Sequence, residues 1–351
     1  MKVLHVAETV KGGVATIIDQ LLLDERIESF CLIPEAHESE ISNKKNFYLY
    51  ERTGRNLKSF IYLMIAFIKY FNTVKPDIVH IHSSFAGMIC RIILFFFIRK
   101  PKIVYCPHAF SFLMDNSSIK KSIYAWIEKI LLINTDIVIC TSEYEKNISL
   151  QYKMPTNKLI TIYNSVLPPF HIEKVRNNYR NNLIKVLFVG RLDHQKGVDI
   201  LADIIKLVDD RFEFTIIGDS VVDRKLNEIF SFPVKKIGWV TKQELSKYYT
   251  QADVIIMPSR WESFGLVAVE ANSYGKPVIA TNCTSLPEII ENGKNGFLFK
   301  KDSASEAVSI LNQLDIFKLK SMENECLKNY KDRFSTKVML DKVFSLYSRL
   351  K

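Results

Sequence analysis

The stretch Ala252-Asp253-Val254-Ile255-Ile256-Met257-Pro258-Ser259-Arg260-Trp261-Glu262-Ser263-Phe264-Gly265-Leu266-Val267-Ala268-Val269-Glu270-Ala271 decides how the rest of the chain is read. A short apolar, β-branched run ending at Pro258 has the character of a buried strand. A polar loop carrying Glu262 follows, and a helix is expected from about Phe264. The amides of Ser263, Phe264, Gly265 and Leu266 would then lie at the positive end of that helix, where a phosphate or a sugar hydroxyl is favoured. Glu270, eight residues after Glu262, falls about two turns into the helix, so the two carboxylates can approach one ligand from different directions. A carboxylate accepts from two vicinal hydroxyls at once, which suits a ribose or a hexose ring. The competing account keeps Glu262 as a helix N-terminal charge and Glu270 as a solvated one; the flanking Val269 and Ala271 argue against it.

Outward from this stretch, short apolar runs alternate with longer amphipathic segments, the pattern of a parallel sheet covered by helices. One series has strands expected at Val3–Ala7, Ser29–Ile33, Phe47–Tyr50, Ile78–Ile81, Ile103–Cys106, Ile137–Cys140 and Leu159–Ile162. The polar, proline-bearing segment Asn164–Asn182 reads as a linker. A second series restarts at Lys185–Val189 and continues through Phe212–Ile217, Lys235–Ile237, Val254–Met257, Val278–Ala280 and Gly296–Phe299. The expected architecture is therefore α/β: two Rossmann-like, doubly wound parallel-sheet domains facing a cleft. The first spans 1–168, the second 169–333, and a closing helix 334–351 is free to pack back on the first. Ligands of such sheets sit beyond the carboxyl ends of strands.

Composition agrees with this reading and narrows the partners. The chain has 351 residues, 48% hydrophobic and 25% charged, enough for two cores and unlike a disordered or collagenous sequence. The formal charge of +10 is spread evenly, 20 basic against 15 acidic residues up to residue 170 and 28 against 23 beyond it. An even excess suits phosphates or an anionic lipid surface and argues against a nucleic-acid reader, which concentrates its cations. The 6 cysteines are scattered without a C-x-x-C pair and read as buried thiols in a reducing compartment. No signal peptide is expected, because Glu8 interrupts the opening apolar run. The longest apolar runs, Phe60–Ile68 and Ile92–Ile98, fall short of the roughly 18 residues of a membrane span.

Several strand ends carry residues suited to chemistry. Gly12 and Gly13 follow the first strand and let backbone amides approach an anion, or simply make a tight turn. His80 and His82 project to one face of their strand; they form either a polar strand end or two ligands of a metal, with no third ligand evident. Pro107 stiffens a turn that presents His108, either as a donor to a reacting sugar's oxygen or as a satisfied structural histidine. In the second series, Gly190-Arg191 and Lys196-Gly197 bracket a turn in which a guanidinium and an ammonium can converge on one diphosphate.

Taken in order, these residues resemble the retaining glycosyltransferases of the GT-B fold, specifically the large nucleotide-sugar-dependent family 4. The resemblance rests on Gly12-Gly13, Pro107-His108, Gly190-Arg191 with Lys196-Gly197, Ile217-Gly218-Asp219, Ile237-Gly238-Trp239-Val240, the Glu262 and Glu270 pair matching E-x7-E, and Glu291-Asn292-Gly293-Lys294-Asn295-Gly296. The segment Pro107-His108-Ala109-Phe110-Ser111-Phe112 further resembles bacterial enzymes that build O-antigen, capsule or exopolysaccharide. The sequence departs from the family pattern at Ser220, where Ile-Gly-Asp is usually followed by glycine, and at Tyr163-Asn164-Ser165-Val166, which replaces Asn-Gly-Val.

The resemblance implies an acceptor-binding first domain and a second domain holding a nucleoside diphosphate sugar. By it, Arg191 and Lys196 neutralise the diphosphate, Glu270 binds the ribose, Glu262 contacts the donor sugar and His108 supports the reacting sugar. Gly12, Gly13, Gly190, Gly218, Val240 and residues 263–266 complete the donor site. No cofactor and no metal are expected, in keeping with the missing D-x-D triplet. The implied acceptor is a glycan linked to a polyprenyl diphosphate, met in the cytoplasm or on the cytoplasmic face of the inner membrane. Two apolar stretches, Phe60–Phe71 and Met88–Lys102, edged by Arg55, Lys58, Lys69, Arg91, Arg99, Lys100 and Lys102, either touch that leaflet or pack in the core. A non-catalytic nucleotide-sugar binder and a nucleotide-sugar hydrolase or epimerase are the alternatives.

Overall fold

The apolar runs of the two series become the strands of two parallel sheets. The computed structural model describes residues 1–98, 100–114, 117–169, 183–220 and 234–351. Within them the chain divides into two units, Met1–Ser165 with Thr336–Lys351, and Val166–Ser335. All thirteen expected strands are present, with ends shifted by at most one residue.

In the first unit the strands are β1 (Lys2–Ala7), β2 (Glu28–Pro34), β3 (Phe47–Tyr50), β4 (Ile78–His82), β5 (Lys102–Cys106), β6 (Ile137–Cys140) and β7 (Leu159–Thr161). They lie in the order β3-β2-β1-β4-β5-β6-β7, and every pairing is parallel. The second unit contains β8 (Ile184–Val189), β9 (Phe212–Ile217), β10 (Lys235–Ile237), β11 (Val254–Met257), β12 (Val278–Thr281) and β13 (Gly296–Phe299), ordered β10-β9-β8-β11-β12-β13 and again parallel. Strand order reverses between β1 and β4 and between β8 and β11. Each reversal opens a crevice beyond the carboxyl ends of those strands, so the loops after β1, β4, β8 and β11 are the natural ligand-binding positions.

Each sheet has its own apolar core. Leu4, Val6, Phe67, Val79, Ile81 and Tyr105 are among the residues buried in the first, and Val186, Phe188, Leu201, Phe214 and Ile256 in the second. The helix Thr336–Leu350 joins the first unit, packing on the helix Gly13–Leu21. The expected linker is only partly a linker. Asn164 and Ser165 are buried, and the Ser165 hydroxyl donates to Gln20 Oε1 at 2.5 Å; residues 170–182 lie outside the described residues. The six cysteines are all free and, except for the half-buried Cys283, buried.

The helix Leu57–Val74 corrects one expectation. It is 18 residues long with a mean hydropathy of 1.2, long and apolar enough to cross a membrane by length and composition. The sequence reading stopped at the charges of Lys58 and Lys69, whereas the helix runs past both. Its Leu63, Phe67, Phe71 and Val74 are buried in the core of the first unit, so one face is committed to the sheet.

Candidate functional site

The loop leaving β8 and the loop leaving β11 lie at the strand reversal of the second unit, and both are tightly braced. Gly197 has φ +67°, and a Cβ there would sit 2.0 Å from the Pro258 carbonyl oxygen, so only glycine lets the two loops approach this closely. Gly218, after β9, is held in the same way, since a Cβ would lie 1.8 Å from the Gly190 carbonyl oxygen. The Arg260 amide donates to Gln195 O at 2.8 Å, and Gln195 Nε2 donates to Trp261 O at 3.2 Å. The Arg260 guanidinium forks onto Asp199 at 2.7 and 2.8 Å and reaches Asp302 at 2.8 Å. That pairing holds the Asp199 carboxyl below its ordinary range. Arg260 is thus a brace that the sequence reading passed over; its position directly after a strand-ending Pro-Ser was the available signal.

This frame positions the cations and carboxylates. Lys196 Nζ lies 2.6 Å from Glu262 Oε1, and the Ser259 hydroxyl donates to the same oxygen at 2.8 Å. The Lys196 side chain is 16% exposed and that of Glu262 8%, so the pair is largely withdrawn from bulk water. Arg191 behaves differently. It is exposed, with its guanidinium 3.2 Å from Asp193 and donating to Gln195 Oε1 at 2.6 Å. Lys196 and Glu262 are therefore brought together, while Arg191 stands at the outer edge of the loop.

Glu270 is half-buried, and neither the solvated account nor a simple carboxylate at its ordinary pKa describes it. Burial pushes its carboxyl up, opposed by the hydrogen bond it accepts from Tyr249 OH at 2.7 Å. Tyr249 itself is buried and stacks on Tyr274 with ring centroids 5.1 Å apart. The helix bearing Glu270 starts later than the sequence suggested, at Leu266. Gly265 caps it at φ +105°, a backbone turn that keeps Ser263 and Phe264 ahead of the helix. Phe264 is buried, and its carbonyl accepts from the Ser285 hydroxyl at 2.7 Å. Val240 is half-buried at the start of the helix Lys242–Gln251.

In the first unit, Gly12 caps the helix Gly13–Leu21 at φ +56°, with open space where a Cβ would stand. These two glycines belong to that unit, not to the loops of the second. His108 adopts φ +58°, a left-handed backbone rare for a residue with a side chain. Its Nε2 is 2.9 Å from His82 Nδ1 and its Nδ1 3.7 Å from Cys106 Sγ, so both ring nitrogens face protein partners. Burial lowers its pKa to about 4. The sequence reading found no third partner for His80 and His82, yet His5 lies beside them: parallel pairing sets it opposite His80.

Of the basic residues taken to edge the apolar stretches, Arg91 is misassigned. It is fully buried, pairs with Glu128 at 2.7 Å and lies over the Tyr105 ring at 3.9 Å. Lys58, Lys69, Lys100 and Lys102 are exposed, and Arg99 lies outside the described residues. A further apolar face was not anticipated: on the helix Ser118–Leu131, Ile119, Ile123 and Trp126 are exposed, with Lys120 and Lys121 between them.

Comparison with known proteins follows the same lines. The model of Glycosyltransferase Family 4 matches residues 25–167, and that of Glycosyl transferases group 1 matches residues 184–315. An uncharacterized 41.2 kDa protein in the cps region of Klebsiella pneumoniae is 40% identical over 99% of both chains. The UDP-Gal:alpha-D-GlcNAc-diphosphoundecaprenol alpha-1,3-galactosyltransferase of Escherichia coli is 28% identical over 81% of this chain and 78% of its own. Among solved structures, sucrose-phosphate synthase of Thermosynechococcus elongatus superposes with a TM-score of 0.85 at 17% identity, covering 99% of this chain and 98% of that one. The Anabaena protein HepE in complex with UDP-glucose does so at 0.81 and 20% identity, covering 99% and 100%.

Proposed function

The chain belongs to the family 4 glycosyltransferases of the GT-B fold, and from that premise we propose that it moves a hexose or N-acetylhexosamine from a UDP-sugar to a polyprenyl-diphosphate-linked glycan, with retention of anomeric configuration. The observation that carries this reading is the Lys196 ammonium, withdrawn from water at a strand reversal and 2.6 Å from Glu262. An ammonium has three donors; Glu262 occupies one, leaving the others for a diphosphate oxygen. UDP as the nucleotide is supported by the names of the relatives, a UDP-Gal-dependent enzyme and a protein crystallised with UDP-glucose.

In the proposed step the acceptor oxygen attacks the anomeric carbon on the face from which the diphosphate leaves. The sugar–phosphate C–O bond breaks, and the departing phosphate oxygen takes the acceptor proton. No carboxylate nucleophile is needed. Negative charge builds on the leaving group, and preorganised cations stabilise it without reorganisation: Lys196 from within the loop and Arg191 from its rim. Glu262 orients Lys196 and meets the sugar; Glu270 accepts from the ribose hydroxyls. The reaction is proposed to run without an added divalent ion.

A lipid-linked acceptor is supported by exposed apolar side chains of the first unit. On the helix Leu57–Val74, Ile61 and Ile65 are 40% and 56% exposed, and Phe96 and Trp126 are 78% and 63% exposed. With the interspersed lysines, such side chains suit an anionic leaflet, which supports the proposed location on the cytoplasmic side of the inner membrane. The test is transfer to a short-chain polyprenyl diphosphate glycan from a panel of UDP-, GDP- and ADP-sugars, with product linkage read by NMR. An α-linked product from an α-linked UDP-sugar, formed without added Mg²⁺ or Mn²⁺, is expected. A β-linked product refutes retention, and transfer only from GDP- or ADP-sugars refutes the nucleotide assignment.

A further inference from the structure

Three imidazoles meet at the strand reversal of the first unit, and the proposed transfer uses none of them. His5 on β1 is in register with His80 on β4, and His82, two residues on, points to the same face as His80. Relative exposures are 1%, 2% and 0% for His5, His80 and His82. The His80 and His82 ring centroids are 4.1 Å apart, and His5 lies 5.3 and 5.5 Å from them. One ligand nitrogen from each ring falls within 4.8 Å of the other two.

The nitrogens are divided in a way that hydrogen bonding alone does not satisfy. His5 Nε2 and His80 Nε2 are buried without a hydrogen-bond partner, an unfavourable state for a polar atom withdrawn from water. The outward nitrogens, by contrast, are engaged. His80 Nδ1 lies 2.5 Å from Tyr347 OH, and His82 Nδ1 lies 2.9 Å from His108 Nε2. With the protons on these Nδ1 atoms, the His80 Nε2 lone pair is left for a ligand, and His82 Nε2 accepts from His5 Nδ1–H, which leaves the His5 Nε2 lone pair free as well. Metal-bound histidines show this arrangement: the ligating nitrogen faces the ion, and the other ring N–H is held by an outer partner that fixes the ring. His82 Nε2 now rests 3.2 Å from His5 Nδ1, a contact that an ion would replace. Burial also keeps His5, His80 and His82 uncharged, as ligation requires.

We propose that His5, His80 and His82 bind one divalent d-block ion of the kind imidazole prefers, zinc, nickel or copper, as a structural clamp joining β1, β4 and, through Tyr347, the C-terminal helix. The site lies in the first unit; Lys196 and Arg191 belong to the second.

The test uses tag-free, full-length protein loaded with zinc chloride, passed through a desalting column and assayed by plasma mass spectrometry. Wild type is expected to retain about one zinc per chain, and its Tm to be higher in zinc than in EDTA. His5→Gln and His82→Gln are expected to lose both the ion and the zinc-dependent Tm difference, while His194→Gln, at an exposed position, keeps them. Cobalt loading of the wild type is expected to give the intense visible d–d bands of a tetrahedral nitrogen site. Less than about a tenth of an equivalent in wild type overturns the proposal, as does full retention in both cluster variants. Zinc that binds without raising Tm overturns the clamp. Should one variant fail to fold, the wild-type stoichiometry and the remaining variant still decide.

Discussion

Removing the Lys196 ammonium separates two roles that the geometry assigns to it. In Lys196→Met, Glu262, with a side chain only 8% exposed, loses the partner 2.6 Å from its Oε1 and keeps the Ser259 hydroxyl at 2.8 Å. Losing a hydrogen bond to a charged group typically costs about 1.5–3 kcal/mol; because Ser259 remains and the carboxylate is not fully enclosed, about 2 kcal/mol is expected. At ~2–4 °C per kcal/mol for a unit of this size, that is a fall in Tm of ~4–8 °C. Transfer should fall much further, by ~10²–10³ in kcat, the usual result of removing one preorganised donor to a developing anion. The double variant Lys196→Met/Glu262→Gln distinguishes the two effects. With no unpaired carboxylate left, it should regain most of the lost Tm, yet transfer should stay depressed. Calorimetry gives the first quantity and a radiolabelled-donor assay the second. Recovery of transfer in the double variant would refute the reasoning, because Lys196 would then be a structural counter-ion to Glu262 and nothing more.

Further outcomes follow from the same geometry. Burial raises the Glu270 carboxyl above its usual value of 4.5, so UDP affinity should weaken on acidification already above the ordinary carboxylate range, and Glu270→Gln, weaker by about 10-fold, should show a flat calorimetric pH profile. The same shift sets a sign for stability: the native state favours the protonated carboxyl, so its contribution is present at low pH and is lost as pH rises through the raised value, and Glu270→Gln should raise Tm at pH 7 more than at pH 4. Gly197→Ala, whose Cβ would meet the Pro258 carbonyl at 2.0 Å, should cost more than about 2 kcal/mol in urea unfolding, whereas Gly12→Ala, with nothing within 4 Å and only its backbone strained, should cost about 1. Arg91→Met leaves Glu128 buried and unpaired and should cost about 3–5 kcal/mol without altering sedimentation with anionic vesicles, while Phe96→Ser with Trp126→Ser should release the protein from vesicles at unchanged Tm.

The contrast between Arg91 and the strands shows what a sequence can and cannot disclose about this fold. A strand in a parallel sheet is buried over its whole length, so runs such as Val254-Ile255-Ile256-Met257 are continuous in the chain and visible there, and strand-end residues such as Glu262 are placed by counting onward from them. Arg91 and Glu128 form one buried pair only because two helices separated by β5 pack side by side, and nothing local to Arg91 marks it as interior. His5 is a sharper case. It stands 75 positions before His80, and only the β1–β4 register puts it alongside. What brings the three histidines together is the crossover that returns the chain to pair β4 against β1, the same reversal of strand order that opens a crevice beyond those strands. The second unit repeats the device with β8 and β11, where it joins Lys196 to Glu262 across 66 positions. The sequence reading assigned both residues to the donor site, because each lies on a loop directly after a visible strand, but it set Lys196 beside Arg191 and Glu262 beside Glu270 and did not pair the two. It had no such signal for His5, which lies inside its strand and reads as one more core residue until the register is known.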